Sequence, residues 1–290
     1  MTNLEKILVL GATGNIGFTV VQTLTAAGHQ VRAGVSNPEK SRALWQDNDL
    51  VDVAHFNFLD TSTYPIALEG ISKVFFVRPP QLSTPKEDMF PFLQFLKERQ
   101  IAHVVFVSLI GVEKNPVTPH HKIEKEMMRL GLPFTFLRPS FFMQNLNTTH
   151  QEDIQKHDNL FIPAGNARTS FIDTRDIGEI AAICLMNTPQ HIGQKYSITG
   201  KEALTYYEVA EKMTAILGRK ITYSKPSLLR FRATIIKRGT PKAFANVMTM
   251  LYFITQMGNA KQITPTAQEL LHREATSFDQ YVKDYREDFG

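Results

Sequence analysis

Short runs of consecutive apolar residues alternate along the first half of the chain with longer stretches whose apolar positions recur at helical spacing. The short runs are KILVLGA (6–12), QVRAGVS (30–36), VDVAHFN (51–57), KVFFVRP (73–79), HVVFVSL (103–109) and PFTFLRP (133–139). Several are apolar on successive positions, which suits strands of a parallel sheet with helices on both faces. The longer stretches are NIGFTVVQTLTAAG (15–28), MFPFLQFLKERQ (89–100) and HKIEKEMMRLG (121–131), and two of these close on glycine, as helix C-termini do. Strand, helix, strand in this repetition predicts an α/β chain with a Rossmann-like, doubly wound parallel sheet.

Past about residue 145 the rhythm weakens. RTSFID (168–173) and QKYSITG (194–200) read as further strands, with a helix starting between them at Thr174 or Asp176. TYYEVAEKMTAILG (205–218) is amphipathic, with Thr205 placed to cap its N-terminus and Gly218 its C-terminus. The expected organisation is a nucleotide-binding core over 1–145, rejoined by segments at about 168–200, and a smaller, mostly helical substrate-binding lobe over 201–290.

With 43% hydrophobic and 21% charged residues, the chain has the composition of a soluble globular protein rather than a disordered one. Cys184 is the only cysteine, which excludes an internal disulfide and a multi-cysteine metal centre and fits a reducing compartment. No metal site is expected. The N-terminal MTNLEKILVLGATG lacks the basic start and cleavage site of a secretion signal and reads as a short lead-in to a strand. No apolar run approaches the roughly 18 residues that span a bilayer, so a cytoplasmic protein without a membrane span is expected.

The net charge of +4 is unevenly spread. Between Glu211 and Glu269 there is no acidic residue but ten Lys and Arg, which leaves the rest of the chain at −6 (22 basic minus 28 acidic). Such a stretch is either a solvated basic face or a surface for an anionic ligand, nucleic acid or a membrane. No helix-turn-helix, zinc-finger or similar signature accompanies it, so no nucleic-acid partner is expected.

The most specific local motif is LVLGATGNIG (8–17), where Gly11, Gly14 and Gly17 stand at the turn from the first strand into the first helix. Glycines there permit a tight turn and let backbone approach a pyrophosphate whose charge sits at the helix N-terminus. We assign Gly11, Thr13, Gly14, Asn15, Ile16 and Gly17 to a dinucleotide. An NAD site would place an acid at the end of the second strand for the ribose hydroxyls. Residues 33–36 hold none, and Ser36, Asn37, Lys40 and Arg42 are available for a 2′-phosphate, so NADP(H) is favoured over NAD(H). Lys40 and Arg42 read equally as surface charges of the next helix. Phe76, Arg78 and Pro79 end the fourth strand, where a dinucleotide passes the carboxyl edge of such a sheet. SFFMQN (140–145) leaves the sixth strand at that edge, making Phe141, Phe142, Met143 and Asn145 either pocket residues or core. FANVMTMLYFITQM (244–257) is apolar enough to close a pocket over a flat aromatic substrate or to form a homodimer face.

With its glycine loop, VFVSLIG (105–111), GLPFTFLRPSFFMQN (131–145), SFIDTRDIGEIAA (170–182) and KYSITGKEALTYYEVAEKM (195–213), the chain resembles the NmrA-like group of atypical short-chain dehydrogenase/reductases. Within that group it is most similar to the NAD(P)H quinone reductases and the triphenylmethane dye reductases. Members of the group often carry Arg where this chain has Ser36. Typical short-chain dehydrogenases act through a Ser, a Tyr and a Lys, the tyrosine four residues before the lysine. None of the eight tyrosines here has lysine at the fourth position after it. His121 stands four residues before Lys125 in that register, with Ser108 at the end of the preceding strand. The resemblance implies that Lys125 reaches the nicotinamide ribose, and it matches the group's frequent histidine and glutamate to His120 and Glu124.

Ketone reduction and sugar epimerisation need a proton donor placed in the transition state. Quinones and cationic dyes accept hydride to give stabilised products and depend more on positioning. The expected activity is therefore an NAD(P)H-dependent reductase of a quinone-like or other small aromatic acceptor. The alternatives are a non-catalytic NADP(H)-binding redox sensor and a nucleotide-sugar epimerase. His120 and His121 are read either as proton-delivering or substrate-binding groups, with Glu124 raising the histidine pKa, or as the start of a surface helix behind Thr118 and Pro119.

Overall fold

The computed structural model describes residues 5–290, so the start of the N-terminal lead-in lies outside the described residues. In chain order the strands are β1 (Lys6–Leu10), β2 (Val31–Val35), β3 (Val51–His55), β4 (Ile71–Val77), β5 (His103–Val107), β6 (Phe134–Pro139), β7 (Phe141–Phe142), β8 (Asn159–Leu160), β9 (Thr169–Ile172), β10 (Lys195–Ile198), β11 (Ala203–Leu204) and β12 (Thr222–Tyr223). The principal helices are α1 (Asn15–Ala26), α2 (Pro38–Arg42), α3 (Phe90–Glu98), α4 (Pro119–Arg129), α5 (Thr174–Met186), α6 (Tyr206–Leu217), α7 (Leu228–Lys237) and α8 (Lys242–Gln256).

The chain forms two compact units, residues 1–139 with 174–198 and residues 140–173 with 199–290. The first is built on a seven-stranded sheet in the order β10-β6-β5-β4-β1-β2-β3. Its strand pairs are all parallel, which is the doubly wound α/β class expected from the unbroken apolar runs. The order reverses between β1 and β4, so the crevice outside their carboxyl ends is the topological switch point. Strand alternation sends Val74, Phe76, Val104, Phe106 and Phe136 to one face, where they form a core with Phe92 of α3 and with Ile123 and Met127 of α4. On α5, Gly178 lets α1 approach so closely that a Cβ there would meet the Thr19 Cβ at 2.6 Å and the Ile16 carbonyl at 2.9 Å.

Several polar groups buried in this unit are paired. Lys73 Nζ donates to the Leu185 carbonyl (3.0 Å) and meets the Glu5 carboxylate at 2.6 Å. His103 lies between the hydroxyls of Thr188 (3.1 Å) and Thr135 (2.8 Å). Such pairing removes the penalty of an orphaned buried group, about 1–3 kcal/mol each.

The second unit carries a three-stranded sheet, β11-β9-β7, and a two-stranded one, β12-β8. Residues 168–173, expected with the core, therefore belong here: β9 pairs with β7 and β11, and Phe171 packs among the core residues of this unit, Tyr206 and Phe278. The amphipathic reading of 205–218 corresponds to α6, whose Thr205 closes a capping box with Glu208 and whose Gly218 is left-handed at φ +73°.

Candidate functional site

The glycine loop forms the tight turn between β1 and α1. Gly11 takes φ +69°, and the Gly14 amide donates to the Gly11 carbonyl at 2.9 Å. A Cβ on Gly17 would lie 2.2 Å from that same carbonyl oxygen, so only glycine allows the helix to pack on the turn. Gly14 caps α1 with no side-chain hydrogen bond, and α1 has no acidic residue in its first turn. The first-turn amides and the positive end of the helix dipole are thus left for an anion. Gly11, Thr13, Gly14 and Asn15 are exposed, while the Ile16 side chain and Gly17 are buried, so these last two act through backbone. An exposed glycine cradle with an uncapped helix start fits a pyrophosphate.

At the end of β2, Ser36 and Lys40 are exposed and no carboxylate precedes them in the strand. Asn37 is used structurally: its Oδ1 accepts from the Lys40 amide (3.1 Å) and caps α2. Phe76 does not present its ring to the edge of the sheet. Alternation turns it into the core, fully buried and stacked on Phe106 with centroids 4.6 Å apart. Arg78, two residues later, is half-buried, and its Nη1 donates to the carbonyls of Pro79 (2.9 Å), Pro80 (3.1 Å) and Leu82 (2.7 Å). That ties down the loop after β4. Ser108 follows β5 with a hydroxyl that is buried and has no protein partner.

Helix α4 opens on PHHKIEKE. Thr118 caps it by accepting from the His121 amide, and Pro119 occupies its first turn, as Pro suits that position. The two histidines then diverge. His120 is stacked on Phe106 (centroids 6.0 Å, 22° between planes), and burial first, then the nearby Arg78 cation, push its pKa down to about 3. The expectation that Glu124 raises it is overturned, because Glu124 is bound to Arg138 by two hydrogen bonds, Nε to Oε1 at 3.0 Å and Nη2 to Oε2 at 2.6 Å. His120 is therefore a neutral ring near pH 7, with one N–H but no imidazolium proton to give up as an acid. His121 donates from Nδ1 to the Val112 carbonyl (3.0 Å), which fixes its tautomer and leaves Nε2 as an acceptor while the ring is neutral.

Lys125 is exposed and shares with His121, Lys122 and Arg129 a cleft of about 730 Å³ whose other wall is the segment from Ser83 to Phe90. Helix geometry puts Lys125 roughly 140° around α4 from His120. The four residues assigned to catalysis therefore do not converge: Ser108 and His120 lie at the sheet side of α4, whereas His121 and Lys125 face this cleft. In the second unit, Phe141, Phe142 and Asn145 are half-buried, and the Phe141 ring lies 6.3 Å from Tyr252. Met143 is 2% exposed and belongs to the core, which removes its side chain from the pocket assignment.

The sequence left Arg138 unassigned. Its signal is an arginine at the end of an otherwise apolar strand, a position that demands a carboxylate partner. Nothing in local spacing identifies that partner as Glu124. Among the described residues no group of His, Cys, Asp and Glu could hold a metal ion, and no helix is long and apolar enough to cross a membrane.

Comparison with known proteins places these features in context. The model of the NmrA-like family matches residues 3–282. The NAD(P)H azoreductase of Xenophilus azovorans is 30% identical over 98% of this chain and 99% of its own. Prestalk A differentiation protein A of Dictyostelium discoideum is 29% identical over 96% of this chain and 92% of its own. Among solved structures, an NADPH-dependent quinone oxidoreductase from Escherichia coli, complexed with NADPH, superposes with a TM-score of 0.85 at 22% identity, covering 97% of this chain and 99% of its own.

Proposed function

The chain belongs to the NmrA-like family, and from that premise we propose that it is an NAD(P)H-dependent reductase that passes hydride from NADP(H), in preference to NAD(H), to a quinone-like or other flat aromatic acceptor. The observation that carries the choice of acceptor is His120. Where a typical dehydrogenase sets its tyrosine acid, this chain sets His121, four residues before Lys125, and the residue beside it, His120, is a neutral, stacked ring with a pKa near 3. The two tyrosines of the first unit are committed elsewhere, Tyr64 to the Phe58 carbonyl and Tyr196 to His191. An acceptor whose reduced form is a stabilised anion or a neutral product needs no strong acid.

When bound, the nicotinamide supplies the hydride, and this chain's residues bind and orient. The amides of Asn15 and Ile16 hold pyrophosphate at the start of α1. Ser36 and Lys40 meet the 2′-phosphate by hydrogen bond and charge, which underlies the preference for NADP(H). Arg78 keeps the loop after β4 in place and contributes positive potential at the carboxyl edge of the sheet. The buried Ser108 hydroxyl gains a partner when substrate or cofactor arrives, and the His120 ring forms a wall beside it. Phe141, Phe142 and Asn145 are assigned to the acceptor.

The test is oxidation of NADPH and NADH, followed by absorbance, against a panel of quinones, azo dyes and triphenylmethane dyes. NADPH turnover with at least one quinone is expected, and Ser36→Asp should weaken NADPH about tenfold more than NADH by setting a carboxylate against the 2′-phosphate. Tight NADPH binding with no turnover on any acceptor would overturn the reductase reading in favour of a redox sensor.

A further inference from the structure

Helix α8 is apolar on nearly every side. Its inner face, Ala245, Tyr252 and Thr255, is buried in the second unit. At 100° per residue, Phe244, Val247, Met250, Leu251, Ile254 and Met257 fall on the opposite arc, and no polar residue interrupts them. That outer arc is bare: Val247 is 47% exposed, Met250 40%, Leu251 39% and Met257 64%. Next to it, α7 turns out Leu229, 79% exposed, with the exposed Arg230 and Lys237 roughly 80–100° around the helix from it. The two helices are joined by Arg232 Nε donating to Asn246 Oδ1 at 2.7 Å. An apolar face of this extent on a single helix marks an interaction site.

The charge around it limits what can cover it. Residues 212–268 hold ten basic and no acidic side chains. Lys212, Arg219 and Arg238 are neutralised by Asp279, Asp158 and Asp153. Lys220, Lys225, Arg230, Arg232, Lys237, Lys242 and Lys261 have no carboxylate partner among the described residues. A second copy docking this face on itself would set the cations carried by the two helices, Arg230, Arg232, Lys237 and Lys242, against their own images, which costs several kcal/mol. A protein that receives an apolar helix offers a groove to it, and a peptide needs a groove here, whereas the outer face of one helix is convex. A flat, anionic surface with an apolar interior satisfies both the stripe and the charge.

We propose that α7 and α8 form a membrane-docking face, on which α8 lies in the plane of an anionic lipid surface with Leu229, Val247, Met250, Leu251 and Met257 in the headgroup–acyl boundary and the basic residues on the headgroups. At 15 residues α8 is about 22 Å long, too short to cross a bilayer and long enough to lie in its interface.

The experiment is co-sedimentation of the full chain with vesicles of phosphatidylcholine alone and of phosphatidylcholine mixed with phosphatidylglycerol, at low and high salt. Binding is expected to the mixed vesicles only, weakened by salt. Arg230→Ala and Lys237→Ala should each lower it roughly fivefold. Leu251→Glu, checked for folding by circular dichroism and for intact NADPH binding, should abolish it. Equal binding to both vesicle types, or none to either, overturns the proposal. So would self-association lost in Leu251→Glu without vesicle binding, which assigns the face to a second copy. Quinone turnover lost in Leu251→Glu while vesicle binding persists assigns the face to the acceptor and overturns it as well.

Discussion

His120 shows how burial decides chemistry at a single residue. Imidazole titrates near 6.5 in water, but beside Phe106 and Arg78 it is held neutral to about pH 3. Turnover should then show no step attributable to this ring between about pH 5 and 8. His120→Phe should keep most of the activity, and His120→Ala should lower kcat/KM roughly tenfold by opening the wall, with steady-state rates across pH as the measure. A step near pH 6.5 that vanishes in His120→Phe would show the ring protonating during turnover. At the glycine loop, Gly17→Ala should weaken NADPH binding by roughly a hundredfold or more, as titrated by fluorescence, since its Cβ would sit 2.2 Å from the Gly11 carbonyl. The loop was legible because glycine spacing, strand and helix are all local. Phe76 and Met143 were misplaced because nearness to a strand end says nothing about which way a side chain points. For Phe76, strand alternation supplies that direction.

Helix α4 shows the corresponding limit at the scale of an element. Its span, cap and amphipathic phase follow from TPHHKIEKEMMRLG, but the pairing of Glu124 with Arg138 of β6 joins residues across the layer and leaves no trace in spacing. The pair is nearly closed to solvent, at 5% and 12% side-chain exposure, with Glu113 meeting the same guanidinium at 3.3 Å. Glu124→Ala should destabilise the fold by about 3 kcal/mol in urea unfolding, because it leaves the buried cation with only the half-exposed Glu113 at 3.3 Å. Replacing both partners together by Leu and Met should recover most of that loss. The long apolar strands were readable for the converse reason: burial on both faces writes itself into consecutive residues. The two-residue strands β7, β8, β11 and β12 are too short to carry a period.

At the scale of the molecule, three histidines are held far toward the neutral form, His103 and His150 with a pKa of about 4 and His120 of about 3, desolvation being the leading cause in each. The unfolded chain protonates them near 6.5 and the folded chain does not, so stability is full above that pH and falls as pH drops toward 4. Each contributes a slope on the order of 1.4 kcal/mol per pH unit in that window. Denaturant midpoints should therefore fall between about pH 7.5 and 5, and His150→Gln, which can still meet the Tyr252 hydroxyl that His150 contacts at 2.7 Å, should flatten that dependence. Unchanged midpoints would remove the argument.

The division of the chain into 1–139 with 174–198 and 140–173 with 199–290 bears on how the protein is made. The sheet gains its edge strand β10 and the helix α5 that packs on α1 only after residue 198 has been synthesised. The second unit closes only with its last helices, since Asn147 bonds Asp288 and Tyr281 bonds Asn147. Neither unit can be completed on the ribosome while the other is still unstarted. A fragment ending near residue 145 would expose the β6 edge and one face of the sheet. It should aggregate rather than survive as a free nucleotide-binding module.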